Sequence, residues 1–294
     1  MNTKKKILIT GGGSMLAYDF IRTQSEKYDI ISVEKEECDI TSFESIIQCI
    51  SFYEPDILLN CAAYTSVDDA EDIGMKLCYD INTLGSYQLA RATSAFGVDC
   101  IMISTDYVFD GTKSEGYLPN DACNPINAYG MSKYLGEKLI QQANSRAIIV
   151  RTSGLYGGKI YGNSEGVFQN FVNSMLRISE DSSELKVVND QHGIPTSCVD
   201  LSSALAEIIE NIEERDYEGQ IFHLSNSCES GGVTWADFAR EIFRILGKDI
   251  QVNDCESNEY PIKAKRPQWS ILKNNSDITL GDWKIALRNY LEGK

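Results

Sequence analysis

Short, unbroken apolar runs rich in β-branched residues alternate with helical stretches through the first two thirds of the chain. The runs are Ile7 to Thr10, Ile30 to Val33, Ile57 to Leu59, Ile101 to Ser104, Ile148 to Val150 and Val187 to Val188. A strand without polar alternation buries both faces, which requires a parallel sheet covered by helices on each side. The intervening helices are expected at Leu16 to Ser25, Phe43 to Tyr53, Met75 to Phe96, Tyr129 to Ala143 and Phe168 to Ile178. The fold class is therefore α/β, a Rossmann-type doubly wound parallel sheet with a smaller C-terminal α/β lobe. Residues 1–165 with parts of 185–225 are expected to form the sheet domain, and 166–184 with 226–294 the smaller lobe. Within that lobe Thr234 is placed to cap a helix from Trp235 to Leu246 ended by Gly247, and a last helix lies near Asp282 to Leu291.

The first strand runs into Gly11-Gly12-Gly13-Ser14-Met15-Leu16-Ala17 and a helix follows. Glycines at a strand-to-helix turn let the backbone approach a pyrophosphate, and the free N–H groups of the helix start attract it. Gly11, Gly13, Ser14, Met15 and Leu16 are thus candidate dinucleotide contacts. Ser14 stands where a third-position glycine is usual, and Ala17 is small enough for helix packing. A carboxylate ending the second strand holds the adenosine ribose in such folds, which nominates Glu34 and favours NAD. Lys35 can equally face a 2′-phosphate, so NADH and NADPH both stay open as the cofactor. Asp39 and Ile40 lie where adenine is met, although Asp39-Ile40-Thr41-Ser42 also reads as a helix-capping run.

Tyr129 and Lys133 lie one helical turn apart, so they share a face. The Lys133 ammonium is expected to lower the Tyr129 phenol from about 10 towards neutrality, making it a proton donor to a carbonyl while hydride arrives from a nicotinamide. The same spacing recurs at Tyr134/Lys138 and Tyr290/Lys294. Tyr134 is rotated about 140° around the same helix, so only one pair can face a cofactor. Ser104-Thr105-Asp106-Tyr107 ends the strand at Ile101, in the crevice where α/β sheets bind ligands, and Thr105 there can polarise the same carbonyl.

Taken together, Ile7-Leu8-Ile9-Thr10-Gly11, Asn60 to Asp68, Ser104 to Gly111, Tyr129-Gly130-Met131-Ser132-Lys133, Arg151-Thr152-Ser153, Asn189 to Thr196 and Arg266-Pro267 resemble the extended short-chain dehydrogenase/reductase family, in its dTDP-4-dehydrorhamnose reductase branch. The blocks recur in family order from residue 7 to about 270. The resemblance implies a catalytic trio of Thr105, Tyr129 and Lys133, which selects Tyr129 over Tyr134. It implies that Cys61, Ala62, Ala63, Tyr64 and Ser104 join the cofactor site, and that Thr65, Val67, Asp106 and Tyr107 approach the substrate. Arg266 is implied to meet a nucleotide diphosphate, for which a guanidinium has the bidentate geometry. Where the family pattern has a sugar-contacting tryptophan, this chain has Gly154, which opens the sugar pocket. The implied reaction is NAD(P)H-dependent reduction of the C4 ketone of a nucleotide-linked 4-keto-6-deoxy sugar, dTDP favoured, in cell-surface polysaccharide biosynthesis.

Lys plus Arg total 27 against 43 Asp plus Glu, and the net charge of −16 repels nucleic acid and anionic membranes. Nine scattered cysteines without a Cys-x-x-Cys pair suit a reducing, cytoplasmic setting, and no apolar span suggests a membrane. His192 and His223 lack a carboxylate cluster and read as structural, with no metal expected. The chain is expected to work as a monomer or homodimer. Two rival readings remain: an epimerase or dehydratase of the same fold, or a non-catalytic partner-binding protein like the regulatory subunits of methionine adenosyltransferase. Thr105-Asp106-Tyr107 lacks the Asp-Glu pair typical of the dehydratases, and the complete Thr/Tyr/Lys set argues against a non-catalytic role.

Overall fold

The computed structural model describes residues 4–162, 166–212, 217–259, 262–274 and 276–293. The alternation is present as β1 (Lys6–Thr10), α1 (Met15–Gln24), β2 (Asp29–Val33), α2 (Phe43–Tyr53), β3 (Ile57–Asn60), α3 (Met75–Tyr79), α4 (Ser86–Phe96), β4 (Asp99–Thr105), α5 (Ala128–Ala143) and β5 (Ile148–Thr152). There follow β6 (Leu155–Tyr156), α6 (Phe171–Ile178), β7 (Glu184–Val188), β8 (His192–Gly193), β9 (Thr196–Ser197), α7 (Cys198–Asn211), β10 (Ile221–His223), β11 (Val233–Thr234), α8 (Trp235–Leu246), β12 (Gln251–Cys255) and α9 (Trp283–Leu291).

Six strands pair in parallel in the order β2-β1-β3-β4-β5-β10. The chain winds one way from β1 to β2 and the other way from β3 onward, so a crevice opens at the C-terminal ends of β1 and β3. The unbroken apolar runs are explained by the two faces. Ile7, Ile9, Ile57 and Leu59 pack with Phe20 of α1 and Leu205 of α7. Their neighbours Leu8 and Leu58 pack on the other side with Ile46 of α2, Leu89 of α4 and Ile140 of α5.

Val187-Val188 does not continue this sheet. It belongs to β7, which pairs in parallel with β12 in a separate two-stranded sheet, and the sixth strand of the main sheet is β10. The physical reason is a one-sided pattern: Leu185 and Val187 are buried while Glu184 and Lys186 are exposed. The helix expected from Met75 to Phe96 is divided by a π-helical segment, Asp80–Gly85. That wider turn brings Asn82 and Thr83 inward, where Asn82 Nδ2 donates to Ser132 Oγ at 3.0 Å and Thr83 Oγ1 to the Ser132 carbonyl at 2.7 Å. The stretch from Phe168 turns helical only at Phe171, because Asn170 caps α6.

A second core gathers α6, α8, α9 and β7 around Tyr156, Val172, Phe238, Phe243 and Leu287. In α8 Thr234 and Asp237 form a reciprocal capping box and Gly247 ends the helix in a left-handed conformation. This lobe faces the strand ends of the main sheet and closes the cleft from above. Among the described residues no helix is long and apolar enough to cross a membrane.

Candidate active site

The glycine turn is built for close approach. Gly11 has φ +71°, and a Cβ there would stand 2.6 Å from the Ala62 backbone. Ser14, the departure from a glycine pattern, caps α1 by accepting from Ala17 N at 3.2 Å, while Ala17 is fully buried against the sheet. A cavity of about 260 Å³ beside the turn is lined by Gly11, Gly13, Glu34, Lys35, Asp39 and Ile40, together with Cys61, Ala62 and Ala63. The Glu34 carboxylate lies directly over Gly13. Asp39 accepts from both Thr41 N and Thr41 Oγ1, and it is Ser42 that caps α2. A glycine turn, a helix N-terminus and a carboxylate around one hollow fit the adenosine and pyrophosphate of a dinucleotide. Because Glu34 repels a 2′-phosphate, Glu34→Ala is expected to shift the NADPH-over-NADH ratio of kcat/KM upward by about tenfold, which steady-state kinetics with both coenzymes checks.

From the turn, a second cavity of about 430 Å³ runs past Ser14, Met15, Leu16, Cys61, Ala62, Ala63 and Ser104 to Thr105, Tyr129 and Lys133. A third, of about 340 Å³, extends under the smaller lobe and is lined by Thr65, Val67, Thr105, Asp106, Tyr107, Tyr129 and Gly154. Thr65, Thr105, Asp106, Tyr129 and Gly154 border both, so the two meet at the proposed reacting centre. Tyr129 is delivered there because Gly130 packs against the Tyr107 carbonyl, where a Cβ would stand at 2.1 Å. Its ring meets the Tyr107 ring edge-on at 5.9 Å. Tyr134 instead packs among Val108, Phe109 and Leu272, with Lys138 over its ring. Lys294, partner of Tyr290 in the third pair, lies outside the described residues, and the Tyr290 hydroxyl donates to the Gly157 carbonyl.

Electrostatically the site differs from the sequence expectation in one respect. Burial pushes the Tyr129 phenol up, with partial relief from the Thr105 hydroxyl, and does not leave it near neutrality. Lys133 is itself pushed down by burial, to about 8, and its Nζ donates to the Ile103 carbonyl at 2.6 Å. Burial decides the direction, a tertiary effect that helical spacing does not carry. A raised phenol keeps its proton, which is the state an acid needs before reduction begins. Asp106 is pushed up to about 6 by burial, although Ser270 and Thr105 donate to it. As pH falls through about 6 Asp106 takes up a proton, and as pH rises through about 8 Lys133 loses its charge. The expected kcat/KM profile is therefore a bell with limbs near those values, and Asp106→Asn should abolish the acid limb; a profile flat across both limbs contradicts the assignment.

Two candidates lie off the cavities. The Tyr64 side chain turns away, its hydroxyl packed against Gly74, while its backbone N–H donates to Asn82 Oδ1 at 2.9 Å. Arg266 pairs with Asp68, and it is the adjoining Pro267 that lines the third cavity. Conversely, Gln191, His192, Trp235, Phe238 and Ser270 line that cavity without having been singled out as site residues. Trp235 Nε1 donates to Gln191 Oε1 at 3.2 Å, and the His192 ring stacks on Trp269 at 3.7 Å. The block Asn189 to Thr196 held the only sequence signal for two of them. His223 is structural: fully buried, it lies beside Arg151 with its Nδ1 at 3.0 Å from the Tyr117 carbonyl.

Fold and site together define a nicotinamide-dependent oxidoreductase of the extended short-chain dehydrogenase/reductase type. The sequence model of the family described as "RmlD substrate binding domain" matches residues 5–293, and the chain belongs to that family. It is 35% identical, over 98% of its length and 97% of the relative's, to the spore coat polysaccharide biosynthesis protein SpsK of Bacillus subtilis. It is 40% identical to the dTDP-4-dehydrorhamnose reductase of Sinorhizobium fredii, covering 82% of each chain. Among solved structures, the dTDP-4-dehydrorhamnose reductase of Bacillus anthracis in complex with NADP superposes with a TM-score of 0.91 at 32% identity, covering 99% of this chain and 100% of that one.

Proposed function

We propose that this protein reduces the C4 ketone of a dTDP-linked 4-keto-6-deoxy hexose with NADPH, the reaction of the dTDP-4-dehydrorhamnose reductases. The observation that carries the reading is the meeting of the two cavities at Thr105, Asp106 and Tyr129, with Lys133 on the cofactor side. Gly11, Gly13, Ser14, Met15, Leu16 and the Cys61-Ala62-Ala63 loop would hold the reduced dinucleotide, with Glu34 at its adenosine ribose, and the bound coenzyme would supply the hydride. Tyr129 donates its phenolic proton to the ketone oxygen, and Thr105, whose hydroxyl donates to Asp106 in the free protein, turns that hydrogen to the same oxygen when substrate binds. The Lys133 cation stabilises the tyrosinate left behind, offsetting the burial that raises the phenol. Asp106 orients a ring hydroxyl as an acceptor, and Thr65, Val67 and Tyr107 enclose the hexose. Gly154, in place of a large aromatic, leaves room at the seam of the cavities, so a related 4-keto isomer is also admitted.

The protein is proposed to act in the cytoplasm, as a monomer or homodimer, in assembling sugars for a surface polysaccharide. Its described cysteines are all free thiols, which suits a reducing compartment. The test is loss of reduced-coenzyme absorbance on adding dTDP-4-keto-6-deoxyglucose or its 3,5-epimer. Stoichiometric, sustained consumption supports reduction. Conversion of the sugar without net consumption points to an epimerase or dehydratase and removes this reading.

A further inference from the structure

A buried carboxylate ties the segment after β6 to the helix that starts at the glycine turn. Asp19 lies one turn beyond Met15 on α1 and is 1% exposed, and its Oδ2 accepts from Gly158 N at 2.7 Å. Its Oδ1 accepts from Arg22 Nε and Nη2, each at 3.2 Å, so its charge is met on its own helix. Asn170, the cap of α6, adds a second tie, donating from Nδ2 to the Gly157 carbonyl at 3.2 Å and to Met15 Sδ at 3.4 Å. Asn173 folds the segment on itself, donating from Nδ2 to the Lys159 and Phe168 carbonyls at 3.0 and 2.9 Å.

These ties deliver one ring. Gly158 has φ +65°, and a Cβ there would stand 2.3 Å from the Phe168 ring, so that ring lies directly on the backbone Asp19 grips. The ring of Tyr18, next to Asp19 on α1, meets Phe168 at 5.5 Å. Phe168 and Gln169 thereby border the cavity that runs from Ser14 to Tyr129 and Lys133. Neither borders the adenosine hollow or the cavity under the smaller lobe. A carboxylate is costly to bury, and Ala17 and Phe20 beside it on α1 are fully buried apolar residues. What Asp19 supplies that an apolar residue cannot is an acceptor for the Gly158 N–H.

We propose that Asp19 is a positioning residue for the coenzyme: through Gly158 it sets Phe168 and Gln169 as a wall over the nicotinamide half of the bound dinucleotide. This rests on the coenzyme part of the function proposed above. The test is fluorescence titration with NADPH and calorimetric titration with 2′,5′-ADP, which carries the adenosine end alone, followed by KM for coenzyme and sugar. Phe168→Ala is expected to weaken NADPH about tenfold and Asp19→Asn about fivefold, with the NADPH KM rising in step. The affinity for 2′,5′-ADP and the sugar KM should stay within about twofold, and kcat within about threefold. In a Phe168→Ala background Asp19→Asn should add less than about twofold, because the ring it positions is gone. A carboxylate that only stabilised α1 would weaken both ligands alike, since that helix starts at the turn both of them meet. The inference is overturned if either variant binds NADPH as the wild type does, if 2′,5′-ADP is weakened as much as NADPH, or if the full Asp19→Asn loss persists without Phe168. An Asp19→Asn chain that does not fold assigns the carboxylate to stability and overturns it as well. A wild type that binds NADPH but spends none on a 4-keto sugar nucleotide removes the functional reading and leaves this inference standing; one that binds neither NADPH nor NADH overturns both.

Discussion

Tyr129→Phe is expected to lower kcat about 10³-fold while NADPH affinity stays within about threefold, because the change removes one proton donor and leaves the ring that borders both cavities. Tyr134→Phe, one turn and a half further along α5, is expected to leave kcat within about twofold, since its ring packs among Val108, Phe109 and Leu272. Steady-state rates, with coenzyme affinity from fluorescence titration, separate the two. Equal losses in both variants, or a Tyr129→Phe enzyme of near-normal turnover, would remove the phenol from the mechanism. Thr105→Ala should show a smaller loss in kcat, because Tyr129 still contacts the carbonyl oxygen.

The largest effect on stability is expected at Arg151. Its guanidinium is 1% exposed and donates to Glu137 Oε1 at 2.9 Å and Oε2 at 2.6 Å, to the Pro119 carbonyl at 3.1 Å and to Cys123 Sγ at 3.2 Å. Glu137 is equally buried and also accepts from Ser104 Oγ at 2.5 Å, immediately before Thr105. Removing one member leaves a charge in the core with no counterion, so Arg151→Ala is expected to cost about 3–5 kcal/mol in urea unfolding. Replacing both, Arg151→Met with Glu137→Leu, should recover most of that loss, because an apolar pair of similar volume carries no desolvation penalty. A single substitution costing under about 1 kcal/mol would show that water reaches the pair. The double variant should still lose turnover, since the hydroxyl of Ser104 would no longer tether the end of β4 to α5.

The sheet was legible because its signal is local. Ile7 and Ile9 bury on one face of the sheet and Leu8 on the other, and repeated short β-branched runs of this kind between helical stretches mark strands covered on both sides. The same rule misplaced Val187-Val188, where the alternation with Glu184 and Lys186 marked a strand covered on one side. That Tyr129 borders both cavities while Tyr134 packs among Val108, Phe109 and Leu272 was not legible in the helical spacing, which both pairs share; only the family resemblance pointed to Tyr129. The direction of the Tyr129 shift was not legible either, since it is set by burial, which only the folded chain provides. Trp235 and His192 reach the substrate cavity only when that lobe folds back over the sheet, and nothing in their immediate neighbours announces it. The Asp68–Arg266 pair likewise exists only in three dimensions. The π-helical turn at Asp80–Gly85 left no periodic trace within an otherwise helical stretch.

The most direct test of the whole account follows the hydrogen. NADPH carrying deuterium at its reactive carbon, incubated with the enzyme and a dTDP-4-keto-6-deoxy hexose, should yield a sugar with one deuterium at C4, read by proton NMR or mass spectrometry. A converted sugar that carries protium at C4, with the labelled coenzyme unspent, would contradict it.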